Sequence, residues 1–198
     1  MLQQAMELVV PALDRLDQYA AALRRGGFWA DNIRREASAR EELAKIDADP
    51  AAFVASLEDR DAKAGPITLP DGSQVERLPS FRRWMWDDGH GGGDDGAFCG
   101  QIGFRWQPGT SALPPYVLGH IGYGVVPWKR GRGYATHALA LLLPEARRQG
   151  LDQVELTTDT DNIPSQKVIT NNGGILVERF TKDDAYGGGD ALRWRIVL

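Results

Sequence analysis

The stretch that most constrains the fold runs from Val117 to Gly150, "VLGHIGYGVVPWKRGRGYATHALALLLPEARRQG". The apolar run Val117 to Val126 predicts a strand, and Pro127 ends it because proline has no N–H for a ladder. Beyond a short basic loop, Ala135, Ala138, Leu139, Leu142 and Ala146 recur at helical spacing. They predict an amphipathic helix to about Gln149, closed by Gly150. A strand, a tight loop and a helix with one apolar face have to pack in a layered sheet-and-helix domain. Pro144 falls inside that helix, where it removes a hydrogen bond to Ala140 and predicts a kink.

The flanks extend the pattern. Met6 to Val10 predicts a first strand. Leu13, Leu16, Tyr19, Ala20 and Leu23 predict a helix over 12–25, ended by Gly26 and Gly27. Residues 31–47 predict a second helix, and Asp49-Pro50 opens a third carrying Phe53, Val54 and Leu57. Residues 61–80, with two turn signals, predict a connector. Phe81 to Asp88 and Ala97 to Trp106 predict aromatic-rich strands whose Trp84, Trp86, Phe98, Phe104 and Trp106 belong mostly in a core. A strand follows at Gln153 to Asp159, then a short helix in "IPSQKVITNN", then two strands, "ILVERF" and "ALRWRIVL". The fold class is α/β or α+β with a mixed sheet, one domain over 1–198 or one with an appendage.

The loop "KRGRGYA", residues 129–135, carries the first chemical signal. The first-turn N–H groups of the helix have no intrahelical partners and carry partial positive charge. Gly131 and Gly133 leave the backbone open, and Arg130 and Arg132 add full charges. No Ser, Thr, Asp or Asn stands at the helix entrance to cap it. An anion such as a phosphate fits there. A solvated basic turn and a nucleic-acid contact through Trp128, Lys129, Arg130, Arg132 and Tyr134 are the other two readings.

Composition weighs against the last. Of 198 residues, 23 are Lys or Arg and 27 Asp or Glu, a net charge of −4, where nucleic-acid binders are ordinarily basic. The single cysteine, Cys99, excludes an intramolecular disulfide and sits in an apolar strand without flanking cations, as an inert thiol does. "MLQQAMELVV" has no basic start and no long apolar run, and no segment reaches membrane-spanning length. A cytoplasmic protein with no membrane or nucleic-acid partner, monomeric or homodimeric, is expected. Asp87, Asp88, His90, Asp94 and Asp95 crowd one glycine-rich loop, but their spacing matches no zinc or calcium pattern and no metal is expected.

Residues 118–174 resemble the core of the GCN5-related N-acetyltransferases (GNAT). Arg130, Gly133 and Ala135 match that family's Arg/Gln-x-x-Gly-x-Gly/Ala loop, and "DNIPSQKVI" resembles its Asn-x-x-Ser segment. The resemblance implies a mostly antiparallel central sheet flanked by helices behind an N-terminal helical segment (1–60), with the sheet core over 81–198. It implies acetyl-CoA as cosubstrate and an acetyl transfer to a small-molecule or peptide amine. The loop amides of residues 130–135, Tyr134 included, would hold the pyrophosphate. Val125 and Val126 would pair with pantetheine, and Asn162 and Ser165 would line the coenzyme arm. "GHIGYGVVPWKRGRGYAT" is most similar to a branch of predicted acetyltransferases, which supplies no acceptor.

Acetyl transfer needs an amine that loses a proton and a thiolate that leaves. His120 is the candidate base: alternation places it on one strand face with Gly122 and Gly124, beside open space. It is equally the pattern of a core histidine bonded to the backbone. Glu155 and Asp159 on the next strand are further acidic candidates, or solvent-facing residues. The tyrosine that the family often carries four residues after the Ser falls at Ile169, which has no hydroxyl. Either another residue or water protonates the thiolate, or it leaves without help, since a thiol has a pKa of about 8.5. The missing tyrosine leaves open a second reading, an acyl-CoA-binding or regulatory module without catalysis.

Overall fold

The computed structural model of the chain describes residues 6–28, 34–69, 72–87 and 96–198. Strand β1 (Glu7–Val9) leads through a 3₁₀ turn at Leu13–Arg15 into α1 (Leu16–Arg25), then α2 (Arg35–Ala48) and α3 (Pro50–Ser56). Strands β2 (Glu58–Asp59), β3 (Ile67–Thr68), β4 (Gln74–Val75), β5 (Ser80–Trp86), β6 (Phe98–Arg105) and β7 (Ile121–Val125) follow. Then come α4 (Tyr134–Arg148), β8 (Gln153–Asp159), α5 (Ile163–Thr170), β9 (Ile175–Thr181) and β10 (Asp190–Val197). One sheet has the order β1-β5-β6-β7 with β2 beside β5, another the order β8-β10-β9, and β3 and β4 form a hairpin. The α+β class with antiparallel pairing is as expected: β1 runs antiparallel to β5, and β8 and β9 run antiparallel to β10.

Contacts divide the chain into two compact units. The first draws on the chain up to Glu58, on Arg82–Gly103 and on Tyr123–Ala138. Its core is built by α1, whose Leu16, Tyr19, Ala20 and Leu23 stand on one helical face. Tyr19 stacks on Trp84 at 5.0 Å between ring centroids and meets Phe98 edge-on. The inward stripe of α2 is Ala39, Glu42 and Ile46, so a carboxylate occupies a core position. It is satisfied there: the Tyr19 hydroxyl and an Arg82 guanidinium N–H both donate to it. α3 is capped by Asp49, whose Oδ1 accepts from the Ala52 N–H at 2.9 Å.

The second unit comprises Asp59–Phe81, Phe104–Gly122 and Leu139–Leu198. Register pairs Leu156 with Trp194 and Val154 with Ile196 across β8 and β10. All four are buried, together with Leu139, Leu142 and Ala146 of α4 and Ile169 of α5. The expected aromatic core holds, with Trp84, Trp86, Phe98, Phe104 and Trp106 all buried.

Two sequence expectations shift. The strand over 117–126 contracts to Ile121–Val125, because the His120 N–H donates to the Glu155 carbonyl of β8 (2.8 Å) and the Val117 N–H closes a turn on Pro114. The 61–80 connector contains the β3–β4 hairpin, turned by Gly72 at φ 83°. Pro144 lies inside α4, as expected. The N-terminal part of the second predicted helix, 31–33, lies outside the described residues, as do Asp88, His90, Asp94 and Asp95 of the acidic loop.

Candidate active site

In the first unit, β7 delivers the chain to the loop that opens α4. Gly131 and Gly133 have φ of 77° and 80°, a left-handed conformation that side-chain-bearing residues rarely adopt. A Cβ built on either meets no atom within 4 Å, so neither glycine is packed against protein on its side-chain side. The loop is held from beneath. Lys129, only 3 % exposed, places its ammonium on the Gly96 carbonyl at 2.5 Å and 3.6 Å from the Cys99 Sγ. Arg130 spans two carbonyls, Val125 at 3.2 Å and Gly27 at 3.3 Å. The Tyr134 hydroxyl donates to the Asp87 carboxylate. Burial, then that carboxylate, pushes the Tyr134 hydroxyl up to about 12, so it remains a donor at any physiological pH.

The strand before the loop qualifies one expectation. Val126 gives its N–H to the Cys99 carbonyl and its own carbonyl accepts from the Lys129 N–H, both at 3.0 Å. Its N–H is therefore committed within the protein, while its carbonyl, like the Val125 carbonyl that accepts from Arg130, retains a second lone pair. Gly100 makes this stretch possible, since a Cβ there would stand 2.1 Å from the Gly124 carbonyl oxygen and 2.9 Å from the Val125 Cα. Cys99 is buried and its thiol is pushed up, chiefly by desolvation. The cation absent from its sequence neighbours is supplied by Lys129.

In the second unit, His120 precedes β7 instead of lying in it. Its backbone bonds both to Arg105 and to Glu155, and its Nδ1 accepts from the Glu155 N–H at 2.9 Å. The residue is 0 % exposed, and desolvation lowers its pKa to about 4. The neutral ring, with Nδ1 accepting, carries its proton on Nε2, which has no hydrogen-bond partner among the described residues. Both nitrogens are thus spoken for, and no lone pair is available to take a proton from an amine. This geometry corrects the base reading of His120 and supports a backbone-bonded core histidine. Glu155 pairs with Arg195 at 2.8 Å, and Asp159 with Lys182 at 2.6 Å. Both are ion-pair partners on the sheet, not free carboxylates.

Asn162 and Ser165 open α5: the Asn162 Oδ1 accepts from the Ser165 N–H at 3.2 Å and caps the helix. Ile169, 1 % exposed, is a core residue, and a Cβ added to Gly174 would overlap its Cγ2 at 2.3 Å. The position therefore fills space between α5 and the following turn. Sequence reasoning missed Asp87 as the partner of Tyr134, having grouped it with an acidic loop, and missed the burial of Lys129. No residue pattern signals either, because both depend on which strand lies under the loop. Among the described residues no cluster of His, Cys, Asp and Glu forms a metal site, and no helix is long and apolar enough to cross a membrane.

A strand that feeds a left-handed glycine loop at a helix entrance is an arrangement that can present backbone N–H groups to an anion. The family is named by comparison: a profile for the acetyltransferase (GNAT) domain matches residues 33–175. The chain belongs to the GNAT acetyltransferase family and is an N-acetyltransferase by that membership. Solved structures share the fold. A Bordetella pertussis protein assigned to the GnaT family is 18 % identical over 98 % of this chain and 97 % of its own, with a TM-score of 0.59. The microcin C7 self-immunity acetyltransferase MccE, solved with acetyl-CoA and AMP, is 12 % identical over 98 % and 93 %, with a TM-score of 0.60. RimL, a ribosomal L7/L12 alpha-N-protein acetyltransferase solved with coenzyme A, is 13 % identical over 100 % and 97 %, with a TM-score of 0.61. No curated protein matches the sequence significantly.

Proposed function

We propose that this chain transfers an acetyl group from acetyl-CoA to a primary amine, on a peptide or a small molecule. The observation that carries the reading is the loop 130–135, with two left-handed glycines that have open space on their side-chain side, opening the first turn of α4. Such a turn presents unpaired N–H groups to an anion, and the pyrophosphate of coenzyme A is the anion that the family membership supplies. Val125, through its carbonyl, and Asn162 and Ser165 at the α5 entrance are the further residues assigned to the coenzyme arm.

The step is a direct attack. The amine lone pair forms the C–N bond at the thioester carbon, the C–S bond breaks, and the electron pair leaves on sulfur. With His120 neutral and both ring nitrogens committed, the amine reacts in its unprotonated form and releases its second proton to water. With Ile169 buried, water returns a proton to the thiolate. A thiol pKa of about 8.5 makes that leaving group stable enough to depart without an acid. RimL by its description acetylates a ribosomal protein, and MccE confers self-immunity to microcin C7. Both peptide and small-molecule amines are therefore in range.

Calorimetry with acetyl-CoA tests the cosubstrate, with a dissociation constant between about 1 μM and 1 mM expected. A thiol-release screen over amines and peptide N-termini tests the reaction. Binding with no thiol release across the screen would establish the non-catalytic acyl-CoA module in its place. Absence of binding at millimolar acetyl-CoA would overturn both.

A further inference from the structure

We infer that Asp87 and Tyr134 are a positioning pair for the phosphate loop: the carboxylate at the end of β5 fixes the first residue of α4, so that the loop amides are set before coenzyme arrives. The inference rests on the acetyl-CoA reading of that loop. Among the described residues three side chains, Lys129, Arg130 and Tyr134, tie the loop to the rest of the unit, and they are not equivalent. Lys129 and Arg130 fix its entry, through carbonyls of Gly96, Val125 and Gly27. Tyr134 alone among them stands at the exit, directly after Gly133, and its hydroxyl is anchored on Asp87, 47 residues earlier in the chain.

Between the two anchors lie Gly131, Arg132 and Gly133, the most freely jointed part of the segment. Fixing a backbone residue costs conformational entropy, and glycine, with the most conformations to lose, costs the most. A loop pinned at one end would have to meet that cost when pyrophosphate binds. Pinned at both ends, it has met most of it on folding, and the binding energy appears as affinity.

The choice of a carboxylate is informative. An anion beneath an anion-binding loop opposes the ligand electrostatically, so its presence there is not explained by charge. It is explained by the hydrogen bond, because a charged acceptor holds a hydroxyl more strongly than a neutral one. Arg132 lies beside the Tyr134 hydroxyl and Lys129 beside Cys99, and these cations offset the carboxylate locally.

The experiment compares Asp87→Ala, Tyr134→Phe, the double variant and Asp87→Asn with the wild type, each checked for native circular dichroism. Coenzyme A is titrated by calorimetry. Pantetheine, the same arm without pyrophosphate and nucleotide, is measured by its competition with coenzyme A. Each single loss should weaken coenzyme A about tenfold, the scale of a hydrogen bond to a charged group. The double variant should be no weaker than either single one, and pantetheine should change less than about twofold. Asp87→Asn keeps an acceptor, though a neutral and weaker one, so it should weaken coenzyme A clearly less than Asp87→Ala does. Equal losses for pantetheine, additive singles, or no rescue by asparagine would overturn the pairing.

Amide hydrogen exchange at residues 131–135 without ligand gives a second readout. It should accelerate about tenfold in Asp87→Ala and in Tyr134→Phe and clearly less in Asp87→Asn. Unchanged exchange overturns the inference even if coenzyme A binds. A wild type that binds no coenzyme A but shows the exchange pattern rejects the acetyl-CoA reading and leaves the tether standing.

Discussion

Lowering the pH should unfold this protein through one buried ring. His120 is fully buried, its Nδ1 is committed to the Glu155 N–H, and desolvation holds its pKa near 4 against an ordinary 6.5. The nearby Glu155 carboxylate opposes that depression, and Arg105 adds to it. In the unfolded chain the ring takes up a proton near pH ~6.5, while in the folded protein it does not until pH ~4. The unfolded state therefore binds more protons across that window. His120's contribution is intact above pH ~6.5 and is lost as pH falls toward 4. At about 1.4 kcal/mol per pH unit, the full window is worth about 3 kcal/mol, and about 2 kcal/mol is lost between pH ~6.5 and ~5. That is a large share of a stability of roughly 5–15 kcal/mol.

Urea unfolding across this range, for wild type and His120→Asn, isolates the effect. The asparagine Oδ1, at the place of Nδ1, can still accept from Glu155 but cannot protonate, so its stability should be flatter by about 2 kcal/mol over the same interval. Glu145 does not confuse the window. The Arg148 hydrogen bond, then the Arg60 one, hold its carboxyl at about 2, so its contribution is lost only as pH falls from 4.5 toward 2. Nitrogen-15 spectra of the ring should show an Nε2-protonated neutral imidazole that does not titrate above pH ~5. A His120 that titrates near 6.5, or a wild type no more acid-sensitive than the variant, would refute the reasoning. It would also return His120 to consideration as a base.

Two further perturbations test the first unit. Glu42→Ala removes the acceptor of the buried Tyr19 hydroxyl and the partner of Arg82, which is 32 % exposed and can turn to water. The loss should be about 3 kcal/mol in urea unfolding, and Tyr19→Phe should add almost nothing in that background; additive effects would show that the two are not coupled. Gly100→Ala drives a Cβ onto the Gly124 carbonyl and the Val125 Cα, so it should cost about 3 kcal/mol or more and weaken coenzyme A through the displaced strand end. A melting temperature within about 2 °C of wild type would mean that β6 and β7 can separate there without penalty.

The elements were legible where their residues interact locally. The α1 stripe, the Asp49-Pro50 start of α3, the α4 face and its glycine stop all depend on neighbours within a turn or two. The glycine loop was legible for the same reason: left-handed φ and an unfilled helix entrance are properties of six consecutive residues. The site chemistry was less so. His120 reads as a base by strand alternation, yet the strand begins one residue later, and the ring turns to β8 because its backbone pairs with Glu155.

What the sequence determined by itself was the order of elements, the anion-binding loop and its helix, and through their pattern the family. What only the tertiary structure decided was which groups lie within reach of that loop and which are already committed. Asp87 under Tyr134, Cys99 beside Lys129, and Glu155 against His120 are 47, 30 and 35 residues apart. Hydrogen bonds act over about 3 Å and carry no record in local sequence, so only the folded chain settles them.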